Sequence, residues 1–535
     1  MPRRIILPLF LVLAVAAQPF AQVMPTNFRI SGKAVNAVTG QPLAHVEVLI
    51  AKAEQLDVTL QRVLTADDGA FTFTCLEPGK YLLAGQRNGF RKQGYEEHGI
   101  YASAVAVGQG LISDNLVFRF RPDAWITGAI IDEENEPVTN ATIYLFRADA
   151  SAGLRQIFLV AQTVADDRGH YRLAHLESGW YFVAVSAQPW FGSVARQREA
   201  GGSLSQAERT LFDVVYPTTF YPGVVDSASA QQIVLNEGEE FTADFALTAV
   251  PALRVRINHL NDNPEQPRGA SLKQNVFGTQ INPPSQGQTV AGDSVELSGI
   301  PPGKYVLDIQ SYGAVASMRS TAVNVAADLD LDANAPSVPS PIRGTIRMDG
   351  GLSLKPQAFV RLWNSQTNEM LDAQIAENGE FSFDPDFLLP GNYSVFAVSG
   401  QYSIISSLAA TGAKVVGQSI QITDSTPIHL NIELSRTLSK INGTALRNGK
   451  PFPGAMIVLV PEHPETNMPL FRRDQSDSDG TFTLPDVLRG QYRILAIDGW
   501  DVEWANPGVL KTLLDHAKKV DVQPNMIYQT VVDVK

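Results

Sequence analysis

Residues 68–84 read DGAFTFTCLEPGKYLLA and contain the signals that decide the fold. An Asp-Gly pair precedes a run in which Phe71 and Phe73 alternate with threonine, and Gly79-Lys-Tyr81 opens the next apolar run. Alternation with a period of two places both phenylalanines on one face of a β-strand, toward a core. An Asp-Gly pair between apolar alternating runs predicts a β-hairpin, because tight turns require positive φ.

This pattern recurs along the chain at regular spacing. The turn glycine and the tyrosine of the Gly-x-Tyr step are 12 positions apart in three copies, at 69 to 81, 169 to 181 and 480 to 492. A fourth turn lies at Gly379, and Gly303 opens a further Gly-x-Tyr step. Fixed spacing in well-separated copies indicates an internal repeat.

Four copies also begin with a short strand in which glycine follows isoleucine by two positions. The step occurs as Ile30-Ser-Gly32, Ile126-Thr-Gly128, Ile342-Arg-Gly344 and Ile441-Asn-Gly443. Many short strands with turn signals and few helical periods predict an all-β chain of about five tandem antiparallel Greek-key β-sandwich modules.

The repeats divide the chain into a series of expected domains. We expect a signal peptide at 1–21 and β-sandwich repeats at 22–121, 122–249, 250–337, 338–436 and 437–535. The second repeat carries an insertion at 189–225, and the third is degenerate because it lacks the Ile-x-Gly strand. Short helices are predicted near 206–214, from a capping box at Ser205, and near 507–517, from the Asn506-Pro507 start.

The N-terminus indicates an exported protein. Arg3 and Arg4 precede an apolar run from Ile5 to Ala17, followed by small residues up to Ala21. The run is shorter than the ~20 residues of a membrane-spanning helix, which is typical of a cleaved secretory signal peptide. We expect a secreted, periplasmic or cell-envelope location and no transmembrane span after cleavage.

The net charge limits the classes of partner, and the cysteine content shows what stabilises the modules. The formal net charge is −13, which excludes nucleic acid and anionic lipid surfaces as partners, because both reward clusters of Lys and Arg. Cys75 is the single cysteine, so no intramolecular disulfide forms and the modules depend on their hydrophobic cores.

The repeat pattern also has a family resemblance. The run from Gly-x-Pro-Leu through Asp-Gly-x-Phe-x-Phe to Leu-x-Pro-Gly-x-Tyr resembles the carboxypeptidase regulatory-like domain, best at 28–84 and then at 125–185 and 439–497. The resemblance implies a transthyretin-like, or prealbumin-like, β-sandwich of the carbohydrate-binding-like fold, as in exported multi-module proteins of acidobacterial type. It implies no catalytic residue, because this module is the accessory part of carboxypeptidases.

The sequence contains no metalloprotease, nucleophile-elbow or phosphate-binding-loop motif. A zinc carboxypeptidase site needs His-x-x-Glu, and none of the eight histidines has a glutamate three residues later. His45 with Glu47, and His175 with Glu177, have a different spacing that places each pair on one strand face. We interpret these as solvated strand faces, and we expect no enzyme activity and no cofactor.

Three carboxylates precede the turn glycine of the last repeat. Asp474, Asp477 and Asp479 are hard oxygen ligands of the kind that Ca²⁺ prefers. Their spacing does not match a calcium loop with Asp at positions 1, 3 and 5, so a solvated Asp-Gly turn is favoured over a metal site.

Two groups of aromatic residues are candidates for ligand binding. One group clusters around the insertion of the second repeat and contains Trp180, Trp190, Phe191, Phe220 and Tyr221, of which Trp190, Phe220 and Tyr221 are the candidate binding residues. The other group, Trp500 and Trp504, precedes the C-terminal helix. Sugars pack on exposed aromatic rings, although such rings also fill cores. We predict an exported, non-catalytic binding protein for a carbohydrate or cell-surface polymer. The alternative is a structural spacer or protein-interaction scaffold of the envelope, with the modules arranged as a rod.

Overall fold

The computed structural model describes residues 27–55, 57–151, 153–192, 212–262, 268–283, 287–311, 317–334, 342–348, 358–364, 369–383, 391–398, 404–422, 426–465, 467–515 and 517–535. Within these ranges the strands form five pairs of sheets, and each pair encloses its own hydrophobic cluster. We call these pairs modules 1 to 5 in chain order. The prediction of an all-β chain of tandem sandwiches is confirmed.

Module 1 contains eight strands. They are β1 (Phe28–Asn36), β2 (Glu47–Lys52), β3 (Gln61–Leu64), β4 (Ala70–Leu76), β5 (Gly79–Arg87), β6 (Phe90–Gly94), β7 (Val105–Val107) and β8 (Leu116–Phe120). One sheet has the order β4-β1-β8, and the other has the order β3-β2-β5-β6 with β7 also paired to β5.

Module 2 follows the same plan. Its strands are β9 (Ala124–Ile131), β10 (Thr142–Asp149), β11 (Gln156–Val164), β12 (His170–Leu176), β13 (Gly179–Ser186), β14 (Val214–Val215), β15 (Thr219–Phe220), β16 (Ile233–Leu235), β17 (Glu240–Thr242) and β18 (Phe245–Ala246), with a 3-10 turn at Ser227–Ser229. The sheets have the orders β12-β9-β17 and β11-β10-β13-β15.

Module 3 pairs two four-stranded sheets. Its strands are β19 (Val250–Pro251), β20 (Leu253–Asn258), β21 (Arg268–Val276), β22 (Thr279–Ile281), β23 (Gly287–Ala291), β24 (Ser294–Ile300), β25 (Gly303–Ser311), β26 (Ser317–Val325) and β27 (Leu329–Asp332). The sheets have the orders β23-β24-β20-β27 and β22-β21-β25-β26, while β19 pairs with β14 of module 2.

Modules 4 and 5 complete the chain. Module 4 contains β28 (Ile342–Met348), β29 (Phe359–Asn364), β30 (Glu369–Gln374), β31 (Glu380–Ser382), β32 (Gly391–Val398), β33 (Ile404–Thr411), β34 (Lys414–Val416), β35 (Ser419–Ile422) and β36 (Ile428–Ser435). Module 5 contains β37 (Ser439–Arg447), β38 (Lys450–Pro451), β39 (Met456–Pro461), a 3-10 turn (Met468–Leu470), β40 (Arg472–Gln475), β41 (Thr481–Val487), β42 (Gly490–Ile497), helix α1 (Pro507–Leu514), β43 (Lys518–Val522) and β44 (Ile527–Asp533).

The last strand of each module runs parallel to the strand that opens its sandwich, which in module 3 is β20. The parallel partners are β1 with β8, β9 with β17 and β18, β20 with β27, β28 with β36, and β37 with β44. In module 1 the chain leaves β7 in one sheet and crosses to β8 in the other, so it reaches β1 from the same direction. Parallel neighbours need such a crossover, and the antiparallel prediction is corrected at this strand pair.

The glycine of the Ile-x-Gly step lies beneath an aromatic ring of the neighbouring strand. Gly32 pairs with Phe71, and a methyl group built on Gly32 would lie 2.8 Å from the ring Cζ and 2.4 Å from the Leu116 carbonyl oxygen. Equivalent pairs join Gly128 to Tyr171, Gly344 to Phe381 and Gly443 to Phe482. Glycine is needed because the ring occupies the space that a side chain would fill.

Module 3 has the same topology without this pair. Ile257 occupies the position of the strand glycine in β20 and pairs with Val295 of β24. Both side chains are buried in the cluster of module 3. Where the ring is absent, a branched side chain fills the space, and this explains why the third repeat looks degenerate in sequence.

The Asp-Gly turns connect the two sheets of a module and do not form hairpins. β3 before the turn pairs with β2, whereas β4 after it pairs with β1 in the other sheet. Gly69 has φ of 76° and its amide donates to the Ala66 carbonyl at 2.9 Å, while Asp68 does not have positive φ. The hairpin prediction is therefore wrong, although the glycine has the conformation that a turn requires.

The tyrosine of the Gly-x-Tyr step is a structural residue. Tyr81 is 1% exposed, and its hydroxyl donates to the Glu77 carbonyl at 2.9 Å. The hydroxyl of Tyr305 makes the same bond to the Pro301 carbonyl at 2.7 Å. Burial raises the pKa of both hydroxyls, so each remains a neutral donor that fixes the turn before its strand.

Helix α1 lies within the predicted range 507–517. Asn506 caps it, because the Asn506 Oδ1 atom accepts from the Gly508 amide at 2.9 Å. The other predicted helix, near 206–214, and the predicted signal peptide at 1–21 fall mainly or wholly outside the described residues. None of the helices within the described ranges has the length and apolar character needed to cross a bilayer.

We predict that Gly32→Ala lowers the free energy of unfolding of module 1 by about 1–3 kcal/mol, because the new methyl group forces Phe71 and the β8 backbone apart. Amide exchange of β1 and β4 as a function of urea concentration measures this loss. Gly108→Ala is the matched control in the same module, since its methyl group would meet only Leu111 Cδ1, at 3.4 Å. Equal effects of the two substitutions would contradict the steric argument.

Candidate binding cleft between modules 1, 2 and 5

Modules 1 and 5 dock directly against each other. The Ser103 hydroxyl donates to the Ser476 carbonyl at 2.9 Å, and the Ser478 amide donates to the Ala104 carbonyl at 3.0 Å. The Ala106 amide in turn donates to the Ser478 hydroxyl at 2.8 Å. These bonds align the segment before β41 with β7 and the segment before it. They contradict the expectation of a rod, because a rod keeps its first and last modules apart.

Gln475 of module 5 holds three groups of module 1. It is 2% exposed, and its amide nitrogen donates to the Glu96 carbonyl at 2.6 Å and to the Ser103 hydroxyl at 2.8 Å. Its amide oxygen lies 3.1 Å from Nδ1 of His98. A buried amide is unfavourable unless it is hydrogen-bonded, so Gln475 is suited to the docked arrangement.

An ion pair crosses the same contact. The Lys80 ammonium contacts the Asp477 carboxylate and donates to the Thr481 hydroxyl at 2.6 Å. The other carboxylate oxygen of Asp477 accepts from the Ala104 amide at 2.8 Å. Burial raises the pKa of Asp477, and Lys80 and the Ala104 amide oppose that rise. The contact with module 1 therefore favours the ionised carboxylate.

Module 2 contacts the other side of module 5. The Ala505 amide donates to the Gly153 carbonyl at 3.0 Å, and Nη2 of Arg473 donates to the Ser151 carbonyl at 2.8 Å. Gly153 has φ of 99°, and a methyl group there would lie 2.7 Å from Ala505 Cβ. The chain thus returns after modules 3 and 4 to pack against the two modules with which it began.

A cleft of about 700 Å³ lies where these three modules meet, within the ~300–1,000 Å³ of small-molecule sites. Trp180 of module 2 and Trp500 of module 5 line it together with Phe158. The Arg155 guanidinium lies 3.5 Å from the Trp180 ring centroid. His98 of module 1 stacks on Trp500, with ring centroids 4.8 Å apart and 5° between the planes.

Charged side chains from all three modules line the same cleft. The cations are Arg91, Arg121, Arg147 and Arg473, and the carboxylates are Asp149, Glu177 and Asp501. Arg91 of module 1 and Arg147 of module 2 both contact Glu177, at 2.6 and 2.5 Å. The wall between modules 1 and 2 therefore carries two guanidinium groups around one carboxylate.

The structure brings the predicted aromatic residues Trp500 and Trp504 close together but gives them different surroundings. Trp500 lines the cleft, and its Nε1 donates to the Gly454 carbonyl at 3.0 Å. Trp504 is 7% exposed and packs in the cluster around α1, with its ring 5.4 Å from that of Phe471. Trp504 is therefore a packing residue behind the cleft wall.

The predicted aromatic residues of the insertion do not converge on one surface. Phe220 is 1% exposed and contacts Phe277 of module 3, with ring centroids 5.7 Å apart. Tyr221 packs against Phe245 inside module 2, at 6.2 Å. Trp190 is 70% exposed, lies outside the cleft lining, and meets Phe191 edge-on at 5.7 Å.

Each of the three predicted acidic residues binds donors of the protein itself. Asp474 accepts from the Thr483 amide at 2.6 Å, and Asp479 accepts from the Thr481 hydroxyl at 2.6 Å, while Asp477 pairs with Lys80. The described part of the chain contains no group of three or more His, Cys, Asp or Glu side chains that could hold a metal ion.

Sequence reasoning did not identify the arginines of the cleft. Arg91, Arg147 and Arg473 lie in or beside ordinary strands, and no motif marks them. These arginines come together because the modules dock against each other. No periodic pattern in the sequence indicates which modules dock.

Comparison with known families assigns part of the chain. Residues 29–109 match the family model of the carboxypeptidase regulatory-like domain. This range runs from β1 to just past β7, and it confirms the resemblance for the first repeat. No curated protein matches the chain.

Solved structures give distant likenesses. The Bacillus anthracis TIE protein is 11% identical, with 95% of this chain and 68% of that chain covered and a TM-score of 0.16. A streptococcal ancillary pilin is 13% identical, with 53% and 99% covered and a TM-score of 0.19. GBS52, a minor pilin of Streptococcus agalactiae, is 14% identical, with 42% and 96% covered and a TM-score of 0.21. These TM-scores are too low to indicate a shared arrangement of modules.

We predict that Gln475→Ala weakens the free energy of docking between modules 1 and 5 by about 1–3 kcal/mol. The substitution removes the amide N–H groups that donate to the Glu96 carbonyl and to the Ser103 hydroxyl. Amide exchange at Ala104, Ala106 and Ser478 should accelerate by roughly tenfold to a hundredfold. Gln529→Ala is the control, since Gln529 is exposed on another strand of module 5. Unchanged exchange at all three amides would show that Gln475 does not hold the contact.

We predict that Asp474→Asn raises the thermal stability of module 5 more at pH 7.5 than at pH 5. Burial raises the pKa of Asp474 to about 6, above its value in the unfolded chain. The folded wild type therefore binds a proton as pH falls through 6 and is stabilised, whereas ionisation at higher pH costs it about 1–3 kcal/mol. The difference in Tm between variant and wild type, followed from pH 4 to 8, measures this cost. A constant difference across that range would refute the assignment.

Proposed function

We propose that this chain is an exported, non-catalytic binding protein of the cell envelope that holds a carbohydrate or other cell-surface polymer in the cleft between modules 1, 2 and 5. The observation that carries the proposal is the meeting of Trp180 and Trp500, from different modules, in one concave site of about 700 Å³. Aromatic rings with a few polar groups around them suit the alternating apolar and hydroxyl faces of a sugar.

The organisation of the chain supports a binding role. The first module matches the carboxypeptidase regulatory-like domain, whose resemblance implies no catalytic residue. The residues around the cleft form ion pairs and hydrogen bonds that hold three modules in one arrangement. A site fixed by docking loses little further conformational freedom when a ligand enters, which favours affinity.

A protein-interaction scaffold is the second candidate, and β11 favours it. Within the described residues this strand lies at the edge of its sheet and pairs with β10 alone. Val160 and Val164 on its outer side are exposed. An exposed edge of this kind accepts a further strand from a partner by β-augmentation.

We predict that the purified protein is retained on at least one member of a polysaccharide panel, and that Trp180→Ala weakens this retention at least tenfold, about 1.4 kcal/mol. Trp190→Ala is the matched control in the same module, because Trp190 is exposed outside the cleft. Affinity electrophoresis in gels containing each polymer gives the dissociation constants.

Retention on no polymer by a folded protein would overturn the carbohydrate proposal and leave the scaffold. Retention that is lost with Trp190→Ala and kept with Trp180→Ala would move the site from the cleft to the surface beside Trp190.

A further inference from the structure

The cleft carries a cation that lacks a carboxylate partner. Within the described residues, no Asp or Glu oxygen lies within 4.0 Å of the Arg473 guanidinium, although each of the other three cleft arginines has such a partner. Arg473 instead donates to the Ser151 carbonyl and lies against the rings of Trp504 and Tyr101, at 4.4 and 5.1 Å.

The surroundings of Arg473 disfavour its charge. The side chain is half-buried. Burial lowers the pKa of the guanidinium, with Tyr101 and Asp149 as the groups that oppose this. Arginine nevertheless remains charged at neutral pH. The guanidinium is held by these two rings, by the Ser151 carbonyl and by a contact of 3.6 Å between Nη1 and Met456 Sδ. Its remaining N–H donors are therefore pre-oriented for a planar anion such as a carboxylate.

The other side chains that line the cleft indicate which further chemical groups a ligand needs. Trp180, Trp500 and Phe158 offer apolar ring surfaces, while Asp149 offers an acceptor for a hydroxyl group. The lining contains four arginines and three carboxylates, so its formal charge is positive. The chain as a whole has a net charge of −13. Because the rest of the surface repels anions, an anionic ligand is directed to this cleft.

We propose that the cleft binds an acidic saccharide, and that the carboxylate of a uronic acid unit pairs with Arg473 while its ring packs beside Trp180 and Trp500. This rests on the proposed function, since it specifies the ligand class of the same site. The ligand supplies a carboxylate within 4.0 Å of Arg473, which no Asp or Glu of the described residues does, and the sugar hydroxyls meet the acceptors of the lining.

The test compares two matched ligands by titration calorimetry with the full chain. Trigalacturonate and the corresponding neutral galactose trisaccharide differ only in the carboxylates. We expect trigalacturonate to bind at least tenfold more tightly, and its affinity to fall as sodium chloride is raised from 50 to 500 mM. Equal affinities would overturn the acidic-sugar inference and leave the proposed function standing. Binding of neither ligand, with no retention on any polysaccharide, would overturn both.

Inorganic phosphate is the competitor that separates the two sources of an anion. Displacement of trigalacturonate by an equal concentration of phosphate would show a general anion site and overturn the assignment to a uronate. Failure of phosphate to compete supports the match between carboxylate and guanidinium.

Two substitutions should act in opposite directions. Arg473→Gln should weaken trigalacturonate at least tenfold and leave the neutral trisaccharide unchanged. Asp501→Asn should strengthen trigalacturonate by about two- to fourfold, because it removes an exposed like charge from the cleft. Asp501 is a surface residue, so its variant tests the charge argument even where Arg473→Gln disturbs packing.

Arg343→Gln, on an exposed strand position of module 4, is the control for loss of a positive charge. No change with either cleft variant would overturn the proposal.

Discussion

The contact between a strand glycine and an aromatic ring of the adjacent strand is the constraint on which four of the five modules depend. The ring of Phe71 lies where a side chain at position 32 would be, and Phe482 has the same relation to Gly443. Because the ring covers bare backbone, the first strand can approach the last strand closely on its other side, where the Leu116 carbonyl lies against Gly32. Glycine weakens a strand by its conformational freedom, and the packed ring offsets this loss.

The modules are joined by two different kinds of contact. Between modules 2 and 3 the contact is apolar: Phe277 inserts among Phe146, Phe182 and Phe220, with ring centroids 4.9 to 5.7 Å apart. Between modules 1 and 5 it consists largely of hydrogen bonds and the pair of Lys80 with Asp477. Apolar contacts contribute free energy without much direction, whereas buried hydrogen bonds require one geometry. The cleft lies beside the second kind, where the relative position of the modules is most closely defined.

The sequence predicted the features that depend on local periodicity. The alternation at Phe71 and Phe73, the turn glycines and the Asn506 cap are short-range signals, and the strands and helix α1 follow from them. The sheet that each strand joins was not predictable from the Asp-Gly pair, because a turn glycine at positive φ serves a hairpin and a connection between sheets equally well.

The candidate site could not be predicted from the sequence, because it depends on contacts between modules that are far apart along the chain. Exposure of an aromatic residue depends on which module covers it: Phe220 is buried by module 3 and Trp500 is covered on one face by His98 of module 1. Neither partner is close in sequence. The hydrophobic pattern of the sequence shows that a ring is apolar. It does not show whether the ring packs against its own module, a distant module or a ligand.

The docking of the first module on the last also determines how the protein responds to tension. A force that pulls modules 1 and 5 apart does not first travel along the backbone through modules 3 and 4, because the direct contact is the shorter and stiffer path. The bonds from Ser103, Ala104 and Ala106 to the segment 476–478 would therefore yield first. Their rupture, followed by that of the bonds from Ala505 and Arg473 to the Gly153 and Ser151 carbonyls, would release modules 3 and 4 as extra length while each sandwich stays folded. The chain can therefore extend under load before any hydrophobic core is lost.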